Sequence, residues 1–234
     1  MRALIGTSGY SYPAWKGHFY PEDLPAKKFL SYYAERFATV EINNTFYRMP
    51  TAKLLETWAA EVPDGFTFAI KAPQRITHQK RLKECGEIVA ALLGIVELLA
   101  EKQGPILFQL PPNLKKDLPR LQAFLAEMPR RCRAAFEFRH ESWLADDTYE
   151  ALRAADAALC IADTEDLSTP LVATAKWGYL RLRREDYVES DIRKWGERIS
   201  AQNWDDAFIY FKHEDEAKGT VYGSLLKSIL KQPM

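Results

Sequence analysis

Eight short runs of β-type residues recur along the chain, and segments of helical periodicity separate most of them. The runs cover residues 3–10, 39–47, 66–73, 105–112, 134–140, 157–163, 178–183 and 207–213. Intervening segments such as KKFLSYYAERFA and LPRLQAFLAEMP carry apolar residues at the spacing of an amphipathic helix. Strands that alternate with crossover helices indicate a parallel sheet. Eight units at a repeat of roughly 30 residues are what a (β/α)8 barrel requires, so we predict an α/β fold of the TIM-barrel type.

One unit of this pattern is irregular. The segment TEDLSTPLVATAKW, residues 164–177, contains Pro170 and shows little helical periodicity. We therefore expect the sixth helix to be missing or replaced by a loop. The 234 residues fall slightly under the typical barrel of about 250 residues, which leaves an open doubly wound sheet as the competing architecture. No linker, low-complexity segment or break in composition marks a second domain, so we interpret residues 1–234 as a single barrel domain.

The composition restricts the partners that this chain is expected to have. The sum of 32 Lys+Arg balances 32 Asp+Glu, which disfavours bulk electrostatic attraction to nucleic acid or membranes. Three widely spaced cysteines, Cys85, Cys132 and Cys160, suit a reducing compartment. The most apolar helical stretch, residues 88–100, contains Glu97 and is too short to span a bilayer. We expect a cytoplasmic protein without a signal peptide or membrane partner, and its oligomeric state stays open.

Polar side chains share one face of several predicted strands. Alternate residues of a strand point to the same side, so Glu41 lies opposite the face of Val40 and Ile42. The same alternation groups the following polar residues: Glu41, Asn43, Lys71, Gln109, Glu137, Arg139, Arg181, Arg183, Tyr210 and Lys212. In a barrel the apolar face packs on the helices, and the polar face points inward toward the C-terminal mouth, where barrel active sites lie.

The charges on this inward face predict an anionic ligand. Desolvated charges must be paired, so we expect the two glutamates to neutralise some of the cations among Lys71, Arg139, Arg181 and Lys212. A purely structural ion-pair network is the alternative, although a structural core is built more cheaply from Val, Ile and Leu. Cations outnumber carboxylates on this face, which favours a phosphate, a carboxylate or a nucleic-acid backbone as ligand.

Three of these residues are predicted to be catalytic. Burial and neighbouring charge can separate the pKa values of Glu41 and Glu137, which makes them candidates for general acid and base. A desolvated Lys71 is an alternative Schiff-base nucleophile or a further cation for the ligand.

Seven further residues are predicted to bind or orient the substrate. They are Tyr10, Asn43, Gln109, Arg139, His140, Arg181 and Lys212. The four histidines each follow a predicted strand, and Tyr10 belongs to a first loop rich in Gly, Ser and aromatic residues. No GxGxxG, P-loop, HxH or HExxH motif occurs, so a metal site would have to be assembled from distant strands; we assign no metal ligands, and any cofactor is unknown.

Five segments resemble a known family. GTSGYSYPAWKGHFYP, FATVEINNTFYRMP, FTFAIKAPQRITH, GPILFQLPPNL and AFEFRHESW are similar to the YecE-like proteins, which are classed as a domain of unknown function. The resemblance extends from the first strand to about residue 213. It implies a TIM barrel and supplies no biochemical activity. The last strand departs from the pattern of many members, in which Asn follows YF, because Lys212 and His213 stand there instead.

The leading functional hypothesis is an enzyme that uses acid–base chemistry on a phosphate- or carboxylate-bearing substrate at the barrel mouth. Hydrolysis, isomerisation and lyase chemistry all remain open. The second hypothesis is a nucleic-acid-processing barrel similar to a repair endonuclease, in which the basic loop PQRITHQKRLK, residues 73–83, grips a backbone beside aromatic side chains. The third is a ligand-binding barrel without catalytic activity.

Overall fold

Parallel strands and helices alternate through most of the computed structural model, which describes residues 1–129, 131–165, 167–213 and 215–231. The last residues of the predicted domain, 232–234, lie outside this range. The eight strands are β1 (Arg2–Thr7), β2 (Thr39–Ile42), β3 (Thr67–Lys71), β4 (Gln103–Gln109), β5 (Ala134–Glu137), β6 (Ala158–Asp163), β7 (Trp177–Leu182) and β8 (Asp206–Phe211). The α-helices of the described residues are α1 (Phe29–Ala34), α2 (Ala52–Glu61), α3 (Gly86–Val96), α4 (Leu118–Glu127), α5 (Asp146–Ala154), α6 (Glu189–Ser200) and α7 (Lys218–Lys231).

The strands form one parallel sheet that curls into a nearly closed barrel. Their order is β1-β8-β7-β6-β5-β4-β3-β2, so β1 and β2 end the sheet and meet at a seam. No α-helix occurs between β6 and β7 in the part of residues 164–176 that the structure describes. The predicted (β/α)8 barrel with a missing sixth helix is therefore confirmed. No helix in the described ranges is both long and apolar enough to cross a membrane.

A tyrosine hydroxyl joins the two strands at the seam. The buried Tyr33 accepts a hydrogen bond from the Thr7 amide at 2.8 Å and donates one to the Thr39 carbonyl at 3.0 Å. Gly6 belongs to β1, and a Cβ on it would lie 2.0 Å from the Thr39 carbonyl oxygen, so only glycine fits this approach. Toward the C-terminal ends of these strands, the Gly9 amide donates a hydrogen bond to the Glu41 carbonyl at 2.8 Å. This bond joins β1 and β2 and so closes the barrel.

Two apolar cores surround the strands. The outer core packs the predicted apolar faces of the strands, such as Val40 and Phe136, against the helices. The inner core fills the lower barrel mainly with small and aromatic residues, among them Ala69, Tyr179 and Phe208. The sequence interpretation treated the inward face as polar. In the structure, the charged side chains of the inward face lie only at the two ends of the barrel among the described residues, because packed side chains fill the middle of a closed barrel.

An ion pair closes the N-terminal end of the barrel. Asp206 at the start of β8 accepts hydrogen bonds from Arg2 Nε at 2.9 Å and from Arg133 Nη1 at 2.7 Å. The Arg133 guanidinium also lies 5.8 Å from the ring centre of Phe208. This end therefore carries paired charge over an aromatic plug, and the glutamates of the inward face lie at the opposite end.

The seam yields a test of what Tyr33 contributes to stability. Tyr33→Phe leaves the Thr7 amide and the Thr39 carbonyl buried without their shared partner, so we expect the free energy of unfolding to fall by about 1–3 kcal/mol. Urea denaturation followed by circular dichroism measures this loss. The control is Tyr47→Phe, whose side chain is 76% exposed and whose effect should stay within about 0.5 kcal/mol. Equal effects of the two substitutions would contradict the role of Tyr33.

Candidate functional site

One buried arginine binds two glutamates from different strands at the C-terminal end of the barrel. Arg181 of β7 donates from Nη1 to Glu137 Oε2 at 2.5 Å and from Nη2 to Glu41 Oε1 at 2.9 Å. The exposed fractions are 2% for Arg181, 0% for Glu41 and 1% for Glu137. Such a buried triad is tolerated only when its remaining polar atoms also find partners.

Glu41 has its hydrogen-bonding capacity almost fully occupied. Its Oε1 also accepts from Ser8 Oγ at 2.6 Å and from Asn43 Nδ2 at 3.2 Å. Its Oε2 accepts from the Tyr179 hydroxyl at 2.6 Å. With four donors on two oxygens and no exposed surface, the Glu41 carboxylate anchors Arg181 and has no open face for a substrate.

Glu137 is held more loosely and lines a cavity. Gln109 Nε2 donates to its Oε1 at 2.7 Å, while Arg183 Nη1 lies 3.6 Å from the same oxygen. The Cys160 thiol lies 4.0 Å from Oε2. Of the two glutamates, only Glu137 borders the cavity at this mouth.

Both glutamates stay ionised at neutral pH. Burial raises the pKa of Glu41, yet Arg181 together with the Ser8 and Tyr179 hydrogen bonds lowers it below the usual value. Burial also raises the pKa of Glu137, but the positive charges of Arg181 and Arg183 lower it to about 2. Acid–base roles based on separated pKa values therefore find no support in this pair.

The cavity at the mouth has a volume of about 300 Å³. Its lining residues include Pro112, Glu137, Phe138, Arg139, Ala162, Thr164, Glu165, Leu167, Arg183 and Glu185. The Arg183 side chain is 20% exposed, and its Nε is buried without a hydrogen-bond partner among the described residues. Burial and the adjacent Arg181 charge lower the pKa of Arg183.

Lys71 packs against an aromatic ring, and its charge interacts with two residues that line the cavity, Glu137 and Arg183. The residue ends β3, and its Nζ is 4.2 Å from the ring centre of Phe46. Burial and the Arg181 charge lower the pKa of the Lys71 ammonium to about 8, although the two glutamates raise it. His78 packs edge-on against the same Phe46 ring at 4.9 Å. Burial followed by the Lys71 and Arg139 charges lowers the pKa of His78.

The structure brings most of the predicted site residues together. Glu41, Asn43, Gln109, Glu137 and Arg181 form one hydrogen-bonded cluster. Lys71 is coupled to this cluster by its charge, and the exposed Arg139 lines the adjoining cavity.

Three predicted residues lie outside this cluster. Tyr10 packs against the outer core, where burial and the Glu61 charge raise the pKa of its phenol to about 12 despite a hydrogen bond with Trp58. His140 accepts the Ser142 amide at its Nδ1 over 3.2 Å and so caps a short turn after β5. Lys212 follows β8 at the mouth and is half-buried.

Four residues of the site received no role from the sequence. They are Ser8, Cys160, Tyr179 and Arg183. Tyr179 and Arg183 lie two residues on either side of Arg181, so strand alternation was the signal that places them on its face. Ser8 continues β1 and pairs with Glu41 across the seam, a contact that no local pattern encodes.

Strained backbone concentrates around the mouth. Among the described non-glycine residues with positive φ, Arg81, Leu82 and Glu84 follow β3, and Glu216 and Ala217 follow β8. Non-glycine residues in this region cost energy, and they cluster at ligand sites and other functional sites. The described residues contain no group of three or more His, Cys, Asp or Glu side chains that could hold a metal ion.

Comparisons with known proteins identify relatives of this chain. The family model "Protein of unknown function DUF72" matches residues 4–233. The chain is 33% identical over 117 residues to the UPF0759 protein YecE of Escherichia coli K12, covering 50% of this chain and 43% of that protein. It is 30% identical over 160 residues to the UPF0759 protein YunF of Bacillus subtilis 168, covering 62% and 54%. The chain thus matches about half the length of these curated relatives.

A solved structure agrees with the fold along the chain. The crystal structure of a DUF72 family protein from Thermotoga maritima MSB8 superimposes with a TM-score of 0.89 at 25% identity. The superposition covers 99% of this chain and 100% of that one. The barrel architecture is therefore shared with a member of this family.

The triad predicts a large penalty for removing its central cation. Arg181→Met leaves two carboxylates buried without their partner, so we expect the free energy of unfolding to fall by about 3–5 kcal/mol. The matched control is Arg193→Met, which removes an exposed ion pair with Glu189 and should cost less than about 1 kcal/mol. Urea denaturation of both variants checks this. Similar losses in the two variants would show that Arg181 is not required for barrel stability.

The lowered pKa of Glu137 predicts a dependence of stability on acid. Its folded pKa of about 2 lies below the ordinary 4.5, so its ionisation stabilises the fold above about pH 4.5, and this contribution is lost as pH falls through about 2. We expect the free energy of unfolding of wild type to fall more steeply than that of Glu137→Gln between these values. Urea denaturation across this pH range measures both, with Glu189→Gln as the exposed control. Parallel curves for wild type and Glu137→Gln would refute this assignment.

Proposed function

The chain belongs to the DUF72 family of proteins of unknown function, and from the geometry of its barrel mouth we propose an enzyme that acts on a small anionic substrate by acid–base chemistry. The substrate bears a phosphate or carboxylate group. Arg183 and Arg139 bind this group in the cavity, Lys71 transfers the proton, and Glu137 orients the bound molecule. Glu41 holds Arg181 in place.

The burial of Arg183 and its lack of a close hydrogen-bond partner are the main support for this proposal. Its guanidinium is mostly withdrawn from water, and its nearest carboxylate oxygen, on Glu137, is 3.6 Å away. Its buried Nε lacks a hydrogen-bond partner among the described residues. A buried donor without a partner costs about 1–3 kcal/mol, which an anionic ligand recovers. The planar guanidinium matches phosphate and carboxylate with paired hydrogen bonds.

The distribution of charge favours the same class of ligand. Arg181 already pairs with Glu41 and Glu137, so the negative charge of these two glutamates is largely neutralised inside the barrel. Lys71 makes no salt bridge within the described residues, and Arg139, two residues after β5, lines the cavity. Both cations remain available to a ligand at the mouth. Glu165 and Glu185 also line the cavity, and both are exposed to solvent.

Lys71 is the better proton carrier of the predicted catalytic residues. Its pKa of about 8 lies near neutral pH, where a general acid or base works best. Glu41 is enclosed, and Glu137 is an ionised base whose pKa of about 2 makes it weak. Hydrolysis of a glycoside by two carboxyl groups needs one of them protonated. Because Glu41 and Glu137 are both ionised, this form of hydrolysis is disfavoured.

Two other functions stay as hypotheses for this barrel: ligand binding without catalysis, and nucleic-acid processing. A non-catalytic ligand-binding barrel uses the same arginines and differs only in having no reaction. For nucleic-acid processing, the favourable observation is Tyr47, which is 76% exposed after β2 and offers a stacking surface. Binding of an oligonucleotide that weakens steeply with added salt would favour that alternative.

The anion site is tested with inorganic phosphate as the probe. We expect wild type to bind phosphate and Arg183→Gln to bind it about 10- to 100-fold more weakly, because a charge-assisted hydrogen bond contributes about 1.5–3 kcal/mol. Isothermal titration calorimetry measures both dissociation constants. Arg193→Gln on α6 removes an exposed arginine that pairs with Glu189 and is not among the residues that line the cavity, so this variant should bind as wild type does. Undiminished binding by Arg183→Gln, or no binding by wild type, would overturn the proposal.

A further inference from the structure

We propose that Lys71 forms a covalent imine with the carbonyl group of a substrate that also carries a carboxylate or phosphate, as small 2-oxo acids do. The inference rests on the proposed function because the anion held by Arg183 and Arg139 would bring the carbonyl to Lys71. It goes further by naming the nucleophile and the substrate class.

The position of Lys71 suits a nucleophile. It ends β3 on the inward face, two residues after Ala69 of the inner core. The side chain is half-buried, and its contact is the face of Phe46 at 4.2 Å. No salt bridge or side-chain hydrogen bond within the described residues ties up the Nζ atom. An amine that stands on an aromatic face without a bound carboxylate is free to react.

Burial is the largest cause of the lowered pKa of Lys71, and charged groups from several elements act on it in both directions. Glu41 of β2 and Glu137 of β5 support the ammonium form, and Arg181 of β7 and Arg183 directly after it oppose this form. His78 and Arg139 add the remaining titratable and charged groups at this corner. Both glutamates are bound to Arg181, so they stabilise the ammonium form of Lys71 less than unpaired carboxylates would. Burial and Arg181 therefore lower the pKa of Lys71 to about 8.

The reaction needs no oxidant or reductant. The lone pair of neutral Lys71 Nζ attacks the carbonyl carbon, and the carbonyl oxygen takes up a proton to give a carbinolamine. The nitrogen has by then given up one proton; its second proton balances the one that the hydroxyl group receives, the carbon–oxygen bond breaks, and water leaves as the carbon–nitrogen double bond forms. One amine and one carbonyl thus give one imine and one water. Desolvation next to other cations is a recognised way to activate such a lysine.

Reductive trapping tests this inference. The wild-type protein is incubated with glyoxylate and sodium cyanoborohydride, and the cyanoborohydride hydride reduces any imine to a stable secondary amine. Peptide mass spectrometry then gives the rate at each lysine. We expect Lys71 to be labelled at least ~10-fold faster than the exposed Lys53 near neutral pH, because an ordinary lysine with pKa ~10.4 is almost entirely protonated there. The Lys71 rate should rise with pH to a midpoint near 8.

Variants separate selective chemistry from general lysine reactivity. Lys71→Arg keeps the charge and should lose this label while Lys53 reacts as before. Arg183→Gln should slow labelling of Lys71 by glyoxylate at least ~10-fold, given the value of a charge-assisted hydrogen bond. Labelling by propionaldehyde, which has a carbonyl and no anion, should slow less than labelling by glyoxylate, because it responds only to the rise in the pKa of Lys71 when the Arg183 charge is removed.

The outcomes distinguish this inference from the anion site. Labelling of Lys71 no faster than Lys53, in a protein that binds phosphate through Arg183, overturns the imine and leaves the proposed anion site standing. If wild type binds no phosphate and Lys71 reacts equally fast with glyoxylate and propionaldehyde, both are overturned. Fast, Arg183-dependent labelling by glyoxylate supports the imine and its substrate class.

Discussion

The buried bridge from Arg181 to two glutamates is the interaction on which the upper barrel depends. One guanidinium of β7 reaches Glu41 of β2 and Glu137 of β5, so it spans the inside of the barrel. Removing three charges from water is expensive, and their mutual attraction offsets this cost only with close geometry and further hydrogen bonds. Ser8, Asn43, Tyr179 and Gln109 supply those bonds. The polar layer is thus a single cooperative unit over an apolar inner core.

The same bridge links the closure of the barrel to the properties of its mouth. Glu41 accepts the Gly9 amide through its backbone and Ser8 through its side chain, so the residue that anchors Arg181 also joins β1 to β2. Above the triad, the charge of Arg181 lowers the pKa of Lys71 and of Arg183. A group with a structural role therefore adds to the effect of burial, which is the larger cause of the lowered pKa of both cations. This arrangement separates anchoring residues from those available to a ligand.

Much of this architecture could be predicted because it follows from local patterns. The period-two alternation in VEINN placed Glu41 and Asn43 on one face, and Val40 and Ile42 do lie in the outer core. The same argument identified Lys71, Glu137 and Arg181. It failed to find Ser8 because the β1–β2 seam depends on closure of the whole barrel. Tyr10 was predicted at the site because its loop is aromatic, yet the ring packs outward beside Tyr33 at 6.2 Å. Loop residues have no strand alternation to direct them.

The sequence by itself determined the number of strands, their parallel alternation with helices, the missing sixth helix and the polar face, since each follows from hydrophobic periodicity along the chain. Only the tertiary structure decided which charges meet. Arg181 is 140 residues from Glu41 and 44 from Glu137, distances over which periodicity carries no information. Burial and partners also decided that the pKa values of both glutamates and of Lys71 are lowered. Those properties arise through space, from desolvation and Coulomb interactions across the barrel.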